Sequence, residues 1–215
     1  KWDNMQVLLN EGKLLDENGN LVQAGYANSL VKSYSRNDIK ANKFRIKEWD
    51  YYYIGNDNYG VALTIADNSY MDLCSLSILD FKNKKDITKS AMKFFTFGKR
   101  NLPSTSKTGD VFYENKKVKM SFKHENNKRH IECEWKNFTK DKKDIRIDIY
   151  LEETNKDSIV VATPFKKNAH FYYNQKINLL KANGYVKIGE TIYDFNEDSY
   201  GVLDWGRGVW TYKNT

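Results

Sequence analysis

The stretch that decides the fold is KVKMSFKHENNKRHIECEWKNF, residues 117–138, where apolar and polar residues alternate on both sides of Asn126 and Asn127. A period of two is typical of strands that bury one face. Asparagine tolerates a positive φ, so a two-residue turn at Asn126-Asn127 predicts a hairpin and fixes its register. The apolar pairs are then Val118 with Trp135, Met120 with Cys133, and Phe122 with Ile131. A slip of one residue would scatter these pairs over both faces.

The same alternation recurs through most of residues 44–165. In DIRIDIYLEE, residues 144–153, isoleucine and leucine alternate with polar side chains. In VALTIADNSYMDLCSLSI, residues 61–78, a loop of Asp67, Asn68 and Ser69 predicts a second hairpin. Its predicted pairs are Ile65 with Met71, Leu63 with Leu73, and Thr64 with Asp72.

Further strands are predicted for EWDYYYIG, AMKFFTFG, DSIVVATPF and GYVKIGETIYDF, whereas NQKINLLKANG, residues 174–184, is the best candidate for a short helix, closed by Gly184. At least eight strands predict an all-β protein, an antiparallel lipocalin-like barrel or sandwich. We place a boundary near residue 166. Residues 1–165 form the barrel, and residues 166–215 pack on it or begin a second barrel. The residues expected to line the barrel are Trp49, Leu63, Ile65, Phe95, Phe97, Met120, Phe122, Trp135, Ile147 and Ile149.

Charge and composition restrict the function classes. The chain carries a formal charge of +7, and residues 82–146 hold 19 Lys and Arg against 8 Asp and Glu. This excess is mostly lysine in turns with asparagine, which favours solvated loops and strand edges over the arginine-rich surfaces that read nucleic acids. No run approaches the roughly 18 apolar residues of a membrane-spanning helix. We therefore expect no transmembrane segment and a cytoplasmic protein, although Lys1 leaves a removed leader open.

Reactive and metal-binding motifs are missing from the sequence. Cys74 and Cys133 are too few for a disulfide scaffold and lack zinc-ligand spacing, so we expect two buried thiols, no metal and no cofactor. There is no GxSxG, P-loop, GxGxxG or HExxH. Of the three histidines, His170 lies nearest in sequence to the GVLDWGRGVW block and is the candidate base or donor.

Four blocks of the sequence carry a family likeness: NEGKLLDENGNLVQAGYA, IKEWDYYYIG, FYYNQKINLLKANGYVKIGETIYDF and YGVLDWGRGVW. Together they resemble a bacterial family of unknown function that is itself a distant relative of carotenoid hydratases, tocopherol cyclases and other lipocalin-like two-barrel proteins. The family commonly has proline at the position of Thr211. Its members run on past the DWGRG block, so the resemblance implies that a second barrel is missing or shortened here.

The block GVLDWGRGVW, residues 201–210, is the candidate site. One interpretation is a tight turn in which Gly206 and Gly208 adopt positive φ, Asp204 caps the turn, and Arg207 pairs with Asp204 or stacks on a tryptophan. The other is functional. In this interpretation, burial among tryptophans would raise the pKa of Asp204 and make it a proton donor for hydration of a double bond, and a nearby Arg207 would oppose that shift.

Arg207 has a further interpretation as an anchor for an acidic headgroup whose apolar tail lies in the barrel. We therefore favour a protein that binds a hydrophobic lipid, acyl or isoprenoid ligand in or between β-barrels. The expected ligand contacts are Trp205, Arg207, Trp210, Trp49 and Trp135. Two alternatives stay open. One is a hydratase- or cyclase-like enzyme that uses Asp204 and His170. The other is a basic module that binds nucleic acid or an anionic membrane through residues 82–146, and nucleic acid is the less expected of these two partners. The sequence leaves the oligomeric state open.

Overall fold

The computed structural model describes residues 6–125 and 127–212. Within these residues the regular structure is almost entirely strand, with two short 3-10 turns at Arg36–Asp38 and Lys43–Arg45. The strands are β1 (Gly12–Lys13), β2 (Gly25–Ala27), β3 (Lys32–Ser33), β4 (Ile46–Gly55), β5 (Tyr59–Asp67), β6 (Asp72–Asp80), β7 (Lys85–Ala91), β8 (Val111–Glu114), β9 (Val118–Glu125), β10 (Lys128–Trp135), β11 (Ile145–Glu152), β12 (Ile159–Pro164), β13 (Phe171–Ile188), β14 (Thr191–Phe195) and β15 (Tyr200–Val209).

One antiparallel sheet contains all the long strands, in the order β7-β6-β5-β4-β15-β13-β11-β10-β9-β8. The sheet curls so that strands far apart in this order meet across its concave face. Tyr52 on β4 packs edge-on against Phe122 on β9 with ring centroids 4.8 Å apart. Likewise the sulfur of Cys74 on β6 lies 3.7 Å from that of Met120 on β9. The protein is therefore an all-β, lipocalin-like antiparallel half-barrel.

The hairpin of β9 and β10 has the predicted register, with Phe122 opposite Ile131 and Val118 opposite Trp135. Asn127 adopts a φ of 65°, while its predicted turn partner Asn126 lies outside the described residues. The predicted alternation of β11 is also confirmed. Seven of the residues expected to line the barrel are buried in its core: Leu63, Ile65, Met120, Phe122, Trp135, Ile147 and Ile149.

The predicted register of the β5–β6 hairpin is wrong by three residues. Ile65 pairs with Cys74 rather than Met71, and Asp67 pairs with Asp72. The first strand thus runs one residue further than expected, the second begins two residues later, and a four-residue loop, residues 68–71, joins them. The buried carboxylate of Asp67 accepts a hydrogen bond from the backbone N–H of Ser69 at 2.9 Å, which stabilises the positive φ of Ser69.

Residues 91–98, AMKFFTFG, were predicted as a strand, but β7 ends at Ala91 and a loop follows. Phe95 and Phe97 have φ values of 61° and 48°, so neither is extended. Both rings are exposed, and the prediction that they line the barrel is wrong. Backbone hydrogen bonds to the buried carboxylates of Asp67 and Asp72 turn the chain here instead.

The predicted helix at residues 174–184 is also wrong, because this segment lies inside the 18-residue strand β13. A bulge between Ile177 and Leu180 shifts the register against β15, with Leu179 at a φ of 58°. Because the bulge adds residues, the buried positions Ile177 and Leu180 are three apart, which imitates helical spacing. Two of the three strands that follow the expected boundary at residue 166, β13 and β15, lie at the centre of the sheet.

Candidate functional site

The block GVLDWGRGVW forms strand β15 rather than a turn, and neither Gly206 nor Gly208 has a positive φ. Instead, each glycine lets a neighbouring group approach the backbone of β15 closely. A Cβ at position 206 would lie no more than 2.6 Å from three ring atoms of Trp49 on the neighbouring strand β4. A Cβ at position 208 would overlap the carbonyl oxygen of Phe171 and lie 2.7 Å from the ring of Trp210. Each glycine therefore makes room for neighbouring backbone or an aromatic ring.

Asp204 lies on the outer, convex face of β15. Its carboxylate accepts hydrogen bonds from Trp49 Nε1 at 3.1 Å and from Asn174 Nδ2 at 2.7 Å, and it forms an ion pair with Lys176. The Asp204 side chain is 22% exposed and that of Lys176 is 42% exposed. Because every partner is a donor, the carboxylate acts here as an acceptor, and it is held in place from two neighbouring strands.

Three aromatic side chains pack together to one side of this ion pair and form what we call the outer shelf: Trp49, Tyr172 and Trp210. Trp49 stacks on Tyr172 with ring centroids 6.1 Å apart and an interplanar angle of 17°. Trp210 packs edge-on against each of them at 5.4 Å. All three are half-buried. Burial, with a smaller contribution from Asp204, raises the pKa of Tyr172 to about 12, so its hydroxyl stays protonated.

The inner face of β15 has a different chemistry. Arg207 is completely buried and pairs with Asp50 at 2.9 Å, while its guanidinium carbon lies 4.3 Å from the centre of the Trp205 ring. The same guanidinium donates to the carbonyl oxygens of Trp49, Gly206 and Pro103. Its two terminal nitrogens are therefore occupied, and Arg207 ties the loop between β7 and β8 to the sheet.

A second buried carboxylate lies beside Arg207. Glu48 on β4 is directly opposite Arg207 in the register, accepts a hydrogen bond from Tyr34 Oη at 2.6 Å, and forms an ion pair with Arg36. Burial first, and then the charge of Glu48, raises the pKa of Tyr34 well above its ordinary value. These polar groups satisfy one another inside the half-barrel. Trp205 Nε1 and Arg207 Nε have no hydrogen-bond partner among the described residues.

The strand order thus divides the predicted site residues into groups. Asp204, Trp49 and Trp210 meet on the outer face, whereas Trp205 and Arg207 point to the opposite side of β15. Trp49 was expected inside the barrel and lies outside it, because Glu48 and Asp50 take the inward positions of β4.

His170 lies away from the ion pair of Asp204 and Lys176, and Trp135 lies in the core, away from the outer shelf. His170 is buried, its Nδ1 lies 2.8 Å from the carbonyl oxygen of Asn168, and it precedes β13. Six residues separate it from Lys176, the residue opposite Asp204, which is roughly 20 Å along a strand. Trp135 packs against Phe138 in the core at the end of β10.

Sequence reasoning missed the contributions of β13, namely Asn174 and Lys176, which bind Asp204, and Tyr172, which belongs to the shelf. Their shared face follows from the alternation of FYYNQKI, residues 171–177, once that segment is taken as a strand. The buried carboxylates of β4 were missed as well. EWDYYYIG alternates charged and aromatic residues, and nothing in that pattern says which set points inward.

The half-barrel and the outer shelf define a lipocalin-like β protein that presents an aromatic surface with one ion pair. The chain belongs to the family described as a domain of unknown function, DUF2804, which matches residues 6–215. No curated protein matches the sequence. Within the described residues, no helix is long and apolar enough to cross a membrane.

Two solved structures are similar in fold. One, from Nitrosomonas europaea and provisionally assigned as AttH, superposes with a TM-score of 0.52 at 11% identity over 85% of this chain and 57% of the other. The second is kievitone hydratase from Nectria haematococca, with a TM-score of 0.48 at 13% identity over 93% of this chain and 58% of the other. The chain therefore spans less than two thirds of either protein, and at these identities the likeness concerns the fold alone.

Proposed function

We propose that the protein binds a hydrophobic ligand with one polar end, such as a lipid, an acyl chain or an isoprenoid alcohol, on the outer shelf. The observation that carries the proposal is the row of Trp49, Tyr172 and Trp210 on the outer face, which ends at the ion pair of Asp204 and Lys176, where Trp49 contacts Asp204. Half-buried aromatic rings supply apolar area without losing many rotamers on binding, and the ion pair fixes a hydroxyl or carbonyl group. The block GVLDWGRGVW provides Asp204 and Trp210 of this surface.

The packing of the half-barrel favours a ligand site on the outer face over one in the interior. Tyr52 against Phe122, and Cys74 against Met120, join strands across the concave face where an interior ligand would lie. Arg207 is also a poor headgroup anchor, since its terminal nitrogens already donate to Asp50 and to three carbonyl groups. In this proposal Trp205 and Arg207 hold β15 in place beneath the ligand.

The two alternatives have less support. A hydratase-like reaction needs a proton donor, yet Asp204 accepts from three donors, one of them an ammonium group. Binding of nucleic acid through residues 82–146 needs a concentrated basic face. In strands β8 to β10 of this stretch, cations instead pair with acids across the sheet, as Lys119 does with Glu114 and Lys123 with Glu132.

Native mass spectrometry with farnesol and oleate as probes tests the proposal. Wild type should show a one-to-one adduct with at least one probe, and Trp210→Ala should weaken it about tenfold, the value of one lost aromatic contact. Tyr150→Ala is the matched control, because Tyr150 is an exposed aromatic residue on the outer face of β11. Equal losses in the two variants, or no adduct in wild type, would contradict the proposal.

Asp204→Asn separates binding from chemistry. If Asp204 only orients the ligand, wild type and variant carry a ligand of the same mass. A bound species that differs by one water between the two would favour hydration and assign Asp204 a catalytic role.

A further inference from the structure

Four phenylalanines form an exposed cluster at the loop after β7, which we call the phenylalanine patch. Phe94 and Phe95 are each 63% exposed, and Phe97 is 37% exposed. Phe44, from the turn before β4, packs edge-on against Phe97 with ring centroids 5.0 Å apart. Single exposed apolar residues are common on folded proteins, but a contiguous aromatic group of this size is typical of a contact surface.

The loop holds these rings outward by defined bonds. The buried carboxylate of Asp67 accepts hydrogen bonds from Thr96 Oγ1 at 3.0 Å and from the N–H of Gly98 at 2.9 Å. The N–H of Phe95 donates to the carbonyl oxygen of Tyr70 at 2.7 Å. A positive φ is rare for a bulky side chain, and Phe95 and Phe97 both adopt it. The patch therefore belongs to a braced loop in which Phe95 and Phe97 hold a rarely adopted backbone conformation.

The two segments that carry the patch hold charges of one sign. The two contributing segments, IKANKFRIK at residues 39–47 and MKFFTFGKRN at residues 92–101, contain seven Lys and Arg and no Asp or Glu. The side chains of Lys43, Lys93 and Lys99 are exposed, and none forms an ion pair with another described residue. An acidic surface would complement this group of cations.

We propose that the phenylalanine patch docks the protein on a bilayer that contains anionic phospholipid. The rings enter the boundary between headgroups and acyl chains, and the lysines contact the lipid phosphates. Charge complementarity selects this partner, because a second copy of the same patch would bring like charges together. The inference is independent of the outer shelf and of any ligand bound there.

Co-sedimentation with two kinds of vesicle tests the proposal. Wild type should bind vesicles of equal parts phosphatidylcholine and phosphatidylglycerol, bind phosphatidylcholine alone much more weakly, and lose affinity as salt is raised. Replacing Phe94 and Phe95 together by serine should weaken binding on the order of 50-fold, from the apolar area withdrawn. Phe112→Ser, at a 52% exposed position on β8, is the matched control and should bind like wild type.

A charge reversal probes the electrostatic contribution. Lys93→Glu with Lys99→Glu should weaken binding about tenfold or more, whereas Lys116→Glu with Lys117→Glu, at exposed positions between β8 and β9, should have a smaller effect. Absent vesicle binding, equal binding to both vesicles, or equal losses in test and control variants would overturn the proposal. So would binding of the patch to a single-stranded oligonucleotide as tight as to the vesicles, or a dimer in solution that Phe94→Ser and Phe95→Ser dissociate.

Discussion

Replacing Gly206 by alanine is expected to destabilise the protein through one side chain, Trp49. The indole lies across Gly206, and a Cβ at that position would be no more than 2.6 Å from three indole ring atoms. Contacts of real Cβ atoms are essentially never shorter than 3.0 Å. The ring must therefore move, and its hydrogen bond to Asp204 and its stacking on Tyr172 are lost with it. Overpacking costs about 1–3 kcal/mol and the lost bond to a charged group about 1.5–3 kcal/mol. We expect a total loss of about 2.5–6 kcal/mol.

Urea unfolding followed by circular dichroism measures this loss, and a double-mutant cycle assigns it. In a Trp49→Ala background the clash is absent, so Gly206→Ala should change the free energy of unfolding by less than about 0.5 kcal/mol. Gly208→Ala is the comparison. Its Cβ meets the backbone carbonyl of Phe171, so it should stay destabilising in both backgrounds. An equal loss for Gly206→Ala in both backgrounds would refute the reasoning.

Three further predictions concern the supporting structure. Arg207→Met leaves Asp50 buried without its cation and should lower the free energy of unfolding by about 3–5 kcal/mol. The double variant Arg207→Met with Asp50→Leu should lose less, and a lower melting temperature for the double variant than for Arg207→Met would contradict this. Asp67→Ala removes the acceptor that braces residues 92–101, so trypsin should cleave that segment faster than in wild type, and an unchanged rate would count against the bracing. Burial raises the pKa of Cys74 to about 12 from an ordinary value near 9, so its contribution to stability is complete below about pH 9 and falls as the pH rises towards 12, by up to about 1.4 kcal/mol per pH unit. Cys74→Val should make the alkaline loss of stability shallower, and an identical pH profile would exclude this thiol as its source.

Local pattern was sufficient for the parts of the fold whose contacts are local. In the β9–β10 hairpin the partner strands are joined by a short turn, so the alternation of one segment sets the register of both. The β5–β6 hairpin failed under the same reasoning because a buried acid, Asp67, continues the strand and then organises a longer loop. A side chain that binds its own loop is not visible in an apolar-polar pattern.

The candidate site could not be assembled from sequence because its residues come from distant strands. Trp49 and Asp204 are 155 positions apart and meet only because β15 pairs with β4. The bulge in β13 hid the third strand by giving it a helical spacing. Gly206 and Gly208 indicated a turn because glycine commonly occupies positions with a positive φ. Here both lie in a strand, where the missing side chain lets a neighbouring ring or carbonyl group approach the backbone. The sequence therefore supplied a candidate block, and the sheet order decided which of its side chains share a face.

The outer shelf and the phenylalanine patch adjoin each other at Arg45, and this contact leads to a prediction about rates. Arg45 Nε donates to the carbonyl oxygen of Trp210 at 2.8 Å, and the N–H of Trp210 donates back to Arg45 at 2.8 Å, while the preceding residue, Phe44, belongs to the patch. If the patch docks on a bilayer, an apolar ligand can pass from the membrane to the shelf with little exposure to water. Replacing Phe94 and Phe95 by serine should then slow the transfer of farnesol from anionic vesicles to the protein, yet leave the equilibrium affinity for free farnesol unchanged. Stopped-flow tryptophan fluorescence measures both quantities. A transfer rate that is the same in wild type and variant would mean that the patch plays no part in delivering ligand to the shelf.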